Sequence, residues 1–181
     1  MFSFFKKINI NKAIEDTHLV LLNNINIIKL SRNDELPKGF WKDDYIIAYF
    51  ATLSTLIFNS LTKGETTREE RGEASKAIWD KLCPEESEKI TETYRTFKSN
   101  NLNDDFKRGN TNAANVFGML HGILKPELQN DPNIIRAKEM APAFKANSLE
   151  MGIESDDRSS VSAALSQIYL VEYLNEKFGN N

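Results

Sequence analysis

The residues of this chain best suited to chemistry are few: two histidines, one cysteine, and a stretch of alternating amides and acids. His121 lies in the run Phe117-Gly118-Met119-Leu120-His121-Gly122-Ile123. On a helix, Gly118 and Gly122 would line one strip and let a neighbouring element approach closely. His121 would then stand at the margin of a groove. There it would act as a base or ligand toward a bound small molecule, or as a packing residue satisfied by a backbone carbonyl. Gly118, His121 and Gly122 are the candidate ligand-binding residues on this reading. Cys83 precedes Pro84 at the end of a helical pattern. A cysteine nucleophile needs a partnered base, and neither His18 nor His121 is near it in sequence. Its expected role is that of a small, half-buried apolar residue.

Asn101-x-Asn103-x-Asp105 repeats the first three ligand spacings of a calcium-binding EF-hand loop. Phe106 stands where that loop needs glycine, and Asn112 where it needs a bidentate glutamate. A helix-connecting loop with Asx turns is the expectation. No cysteine–histidine cluster has zinc spacing, and no Glu-x-x-His pair suggests a carboxylate-bridged metal pair. The nucleophile-elbow, P-loop, HExxH and dinucleotide-binding signatures are all absent. The sequence therefore assigns no catalytic residue, metal or cofactor, and a protein that is not an enzyme is the expectation.

Features suited to binding are more numerous. Between Glu65 and Glu92 there are nine acids and five bases. Such a stretch is a solvated helical face laced with i,i+4 pairs, or a docking surface for a basic protein partner. Glu69, Glu70, Glu73, Glu85 and Glu86 are its candidate contacts. Trp41, following Phe40 at a linker–helix junction, is a hydrophobic staple or core lid, or alternatively an interface anchor. Phe2, Phe4 and Phe5 with Lys6, Lys7 and Lys12 could touch a membrane surface. One short segment buries too little to anchor stably, so aromatics docking on the core are the expectation there. The same start lacks the apolar run and cleavage site of a signal peptide. The net charge of −3 lacks the basic excess that phosphate contact requires, so no nucleic-acid partner is expected. One cysteine fits a reducing, cytoplasmic setting.

These residues must be positioned by helices. At 181 residues the chain suits one domain, read as an N-terminal arm or helix over 1–36 and a helical body over 37–181. Ile10, Ile14, Thr17, Leu21, Ile25 and Ile28 recur in steps of three and four, which predicts a helix over 10–30. A hairpin around Asn23-Asn24 is the rival, favoured by the β-branched isoleucines. A turn-rich linker over 31–40 leads to the most apolar segment, 43–62, which Asp43 or Asp44 can cap. Further helices are expected over 66–82, 84–100, 111–125, 133–148 and 157–178, with a loop over 100–112. Pro142 should kink the helix over 133–148. The prediction is an all-α, irregular bundle of about six or seven helices around the central apolar helix 43–62.

Three functions follow as expectations. The first is a non-enzymatic protein–protein interaction module: a regulator, adaptor or immunity-type inhibitor with an acidic helical face. The second is a small-molecule-binding bundle or enzyme centred near His121. The third is a peripheral membrane protein using the N-terminal Phe/Lys segment.

Overall fold

The computed structural model describes residues 9–99, 103–150, 152 and 154–179. Among them are seven α-helices and no strand: α1 (Ile10–Leu30), α2 (Asp44–Leu61), α3 (Arg68–Leu82), α4 (Ser87–Ser99), α5 (Asp104–His121), α6 (Pro132–Glu150) and α7 (Asp157–Phe178). The chain is thus an all-α bundle. Its 10–30 segment is helix rather than hairpin, because the period of Thr17, Leu21, Ile25 and Ile28 puts all four in the core. The aromatic segment of the N-terminus, Phe2 to Lys7, lies outside the described residues.

Five of the seven helices start at a capping side chain. Asn9, Asp43, Thr67, Asn103 and Asp156 all cap by accepting a backbone N–H of the first turn. Thr67 and Glu70 form a reciprocal capping box. The caps leave two boundaries different from the sequence prediction. Pro84 does not open α4. It lies in a turn after Cys83, and the helix begins at Ser87, whose hydroxyl donates to Asp80 of α3 and fixes the corner. The expected loop over 100–112 is mostly helix, since α5 starts at Asp104 behind the Asn103 cap.

The reason is what the α5 polar residues do. Gly109 faces α2 so closely that an added Cβ would stand 3.0 Å from Ala48 Cβ and 3.1 Å from Tyr49 N. Thr52 donates to Asn110, and Asn112 donates to the Tyr45 hydroxyl at 2.9 Å. Residues that read as turn formers are here interhelical contacts, and tertiary packing overrides their weak helix propensity.

At the centre lies α2. Tyr45, Ile46, Ala48, Tyr49 and Phe50 are fully buried in consecutive turns, so the helix is apolar nearly all round and enclosed by the others. It packs most extensively on α5, while α6 packs on α7, and α3 rests chiefly on α1. One continuous apolar core runs through all seven of these helices, α4 contributing Ile90 and α6 Ile134 and Ala137. Among the described residues no helix is long and apolar enough to cross a membrane.

Candidate functional site

The glycine–histidine region is a helix terminus. Gly122 is left-handed at φ +68° and lies beyond the last turn of α5, so it does not share a helical strip with Gly118. The Ile123 N–H reaches the Gly118 carbonyl at 2.8 Å and the Gly122 N–H reaches Met119 at 3.3 Å, which is a Schellman ending. Gly118 is buried against the returning chain, where a Cβ would make ordinary contact with the Leu124 backbone at 3.4 Å. His121 is exposed, its ring 4.3 Å from that of Phe117. The Arg158 guanidinium of α7 lies over Gly122.

The other chemistry-bearing residues are also committed to structure. Cys83 ends α3 and is buried, and burial pushes its thiol up to about 12, with Glu86 and Asp80 adding to the rise. At neutral pH it is a thiol, not a thiolate nucleophile. Of the EF-hand-like triplet, Asn103 caps α5 and donates to Asp44, while Asp105 accepts from Lys177 at 3.0 Å. Asn101 lies outside the described residues. No group of three or more His, Cys, Asp or Glu that could hold a metal occurs among the described residues. Trp41 is half-buried and edge-on to Phe40, Phe50 and Trp79 at 4.7, 5.4 and 5.9 Å, which makes it a lid on the core.

Two open troughs of about 540 and 320 Å³ lie between the second half of α6 and the start of α7. Lys145 lines both and pairs with Asp157 at 2.7 Å. The buried hydroxyl of Ser160 beside them is already bonded to Ser155 and to the Asp156 carbonyl. Neither trough gathers free, convergent polar groups of the kind a small-molecule site requires.

The acidic residues divide into two sets. Glu70 is used up in the capping box, where the Thr67 N–H holds its carboxyl below the usual carboxylate range. Glu86 is half-buried and pairs with Lys42 at 3.7 Å. Glu69, Glu73 and Glu85, by contrast, are exposed and make no side-chain hydrogen bond or ion pair among the described residues. Glu65, Glu88 and Glu92 share that condition. Two of the five bases of the same corner are in ion pairs, Lys76 with Asp80 and Lys81 with Glu15 at 2.9 Å. Arg71 donates to the neutral Thr66 carbonyl at 2.6 Å and keeps its charge, as do Arg68 and Lys89, so the six glutamates still outnumber the unpaired bases. Asp80 of α3 accepts from Ser87 at the start of α4, and Glu88 adds to the field at Lys76, so the two helices meet at this corner.

A polar seam of tyrosines lies where α2, α5 and α7 meet, and sequence reasoning did not single it out. Tyr45 stacks on Tyr173 with ring centroids 3.9 Å apart, and the Arg108 guanidinium lies 5.8 and 5.4 Å from their centroids. The Tyr45 hydroxyl donates to the Tyr169 carbonyl, and that of Tyr173 to Asp43. Burial raises the phenols of Tyr45, Tyr49 and Tyr173 above their ordinary value. The available signal was a pair of i,i+4 tyrosines in each of two helices, Tyr45/Tyr49 and Tyr169/Tyr173. A scan against protein-family models, a search of curated proteins and a search of solved structures each found no match to this chain.

Proposed function

We propose that the protein is a non-enzymatic interaction module, a regulator, adaptor or immunity-type inhibitor, which presents the acidic corner of α3 and α4 to a basic protein partner in the cytoplasm. The observation that supports this reading is the unneutralised charge: six exposed glutamates of that corner (Glu65, Glu69, Glu73, Glu85, Glu88 and Glu92) have no ion-pair partner among the described residues. Like charges held on one surface repel one another and give nothing to fold stability, but they steer an oppositely charged partner and select its orientation. Glu70 and Glu86, also candidate contacts, are engaged within the fold by the Thr67 N–H and by Lys42.

The test compares two baits in one lysate of the source cell: the wild-type chain, and a variant carrying Glu69→Lys, Glu73→Lys, Glu85→Lys and Glu88→Lys. All four positions are exposed, so the variant should keep its helical circular dichroism. A protein retained by the wild type, released by salt and lost from the variant supports the reading. Equal retention of every protein by both baits overturns it.

A further inference from the structure

A run of aromatic rings crosses the core. Trp79 and Trp41 meet at 5.9 Å, Trp41 and Phe50 at 5.4 Å, and Phe50 and Tyr49 at 5.5 Å. Tyr49 and Tyr45 follow at 6.2 Å, and Tyr45 stacks on Tyr173 at 3.9 Å. The run joins both tryptophans of the chain to three of its five tyrosines.

What separates the tyrosines is the atom that each hydroxyl faces. Tyr45 donates to the Tyr169 carbonyl at 3.1 Å, and Tyr49 to Ser166 Oγ at 3.1 Å and Asn24 Oδ1 at 3.4 Å. The Tyr169 hydroxyl accepts from Asn115 at 3.4 Å. Only Tyr173, among the described residues, aims its O–H at carboxylates: Asp43 Oδ2 at 2.9 Å and Asp105 Oδ2 at 3.4 Å. A phenol that loses an electron becomes a strong acid, so its oxidation is easiest where a real base waits for the proton. Carbonyl, amide and hydroxyl oxygens are poor bases; an ionised carboxylate is a competent one. Asp105 is also bound by Lys177 at 3.0 Å, which leaves Asp43 as the nearer and better acceptor.

We infer that these rings form a relay for one-electron oxidation, which carries an oxidising equivalent from the Trp41–Trp79 pair to Tyr173 and passes the phenolic proton to Asp43. The oxidant is a small radical that takes one electron from the half-buried indole of Trp41 and is thereby reduced. One electron then tunnels from Tyr173 past the rings of Tyr45, Tyr49 and Phe50, the last of which is not itself oxidised, to restore the indole. The Tyr173 O–H bond breaks and its proton crosses to Asp43 Oδ2. The balance is one electron and one proton lost by Tyr173, the electron ending on the oxidant and the proton on Asp43. The relay draws oxidation away from the tryptophans.

The test uses azidyl radicals made by pulse radiolysis, with transient absorption of the full chain. In the wild type the indolyl signal should decay as the phenoxyl signal grows, at a rate independent of protein concentration. Tyr173→Phe keeps the ring stack and removes the hydroxyl; the phenoxyl yield should fall by about half or more, and the indolyl radical should persist. Asp43→Asn keeps a competent helix cap and removes the base, and should slow the transfer several-fold. Tyr94→Phe, outside the run, should change nothing. Unaltered phenoxyl yield in Tyr173→Phe, an unaltered rate in Asp43→Asn, or a phenoxyl signal that disappears in Tyr94→Phe would each overturn the inference.

Discussion

Gly109 and Arg32 each fix a long-range contact with one residue. Gly109 lies in mid-helix, where glycine is ordinarily unfavourable, and its cost is offset by the close approach of α5 to the α2 backbone. Gly109→Ala forces a methyl group into that contact, and overpacking of this kind costs about 1–3 kcal/mol. The urea midpoint should fall with no change in the m-value. Arg32 is only 5% exposed and has two neutral acceptors, Asn175 Oδ1 and the Gly179 carbonyl, both at 3.0 Å. It ties the α1–α2 connection to the C-terminal end of α7, where a cation also suits the helix dipole. Arg32→Met keeps most of the volume and loses the charged hydrogen bonds, which predicts a loss of about 1.5–3 kcal/mol by the same measurement. Neither residue was legible in the sequence. A lone glycine within a run of asparagines has the signature of a loop, and a lone arginine in a polar linker has the signature of solvent.

Among the elements, the sequence was most readable where a period or a cap repeats. The α2 run announced itself by apolar residues on every face, and α7 by Val161, Leu165, Ile168 and Leu174 between Asp156 and Gly179. The start of α5 was hidden because its polar residues bond to α2 and α7, which no local pattern reveals. The candidate groove at Gly118, His121 and Gly122 rested on a spacing that a helix would have aligned. Instead the helix ends between His121 and Gly122, and both glycines serve the ending.

Two expectations belong to this scale. The Glu70 carboxyl is lowered by the Thr67 N–H and hydroxyl, and that of Asp156 by the Ser159 N–H and its hydroxyl. A carboxyl with its folded value below its unfolded one adds stability that is present above the unfolded value and is lost as pH falls through the folded one. Glu70→Gln keeps a capping-box acceptor without the charge. It should be less stable than the wild type at neutral pH and converge with it in acid, as read from melting temperature against pH. Pro142, exposed within α6, leaves the Lys138 carbonyl without its helical donor. Pro142→Ala restores that donor and should stabilise the protein by about 1–3 kcal/mol where the helix can straighten. A lower melting temperature would show instead that the proline is required by the α6–α7 packing.

The distribution of charge matters most for the whole molecule. Net charge is only −3, yet the stretch from Glu65 to Glu92 carries nine acids against five bases, and six of its exposed glutamates have no ion-pair partner among the described residues. That arrangement was half-visible in the sequence: the excess of acids between Glu65 and Glu92 could be counted, but which acids were already spent on caps and pairs could not. Steering by such a surface is screened by salt, with a Debye length of about 8 Å at physiological ionic strength. Association with a basic partner should therefore slow sharply as salt rises, while dissociation changes less. The most direct measurement is a native pull-down of the wild-type chain from the source cell, with mass spectrometry of both the proteins and the small molecules retained. The interaction reading predicts a stoichiometric basic protein that high salt releases. A chain that comes down alone with a small molecule bound would contradict it and make a ligand-binding bundle the better account.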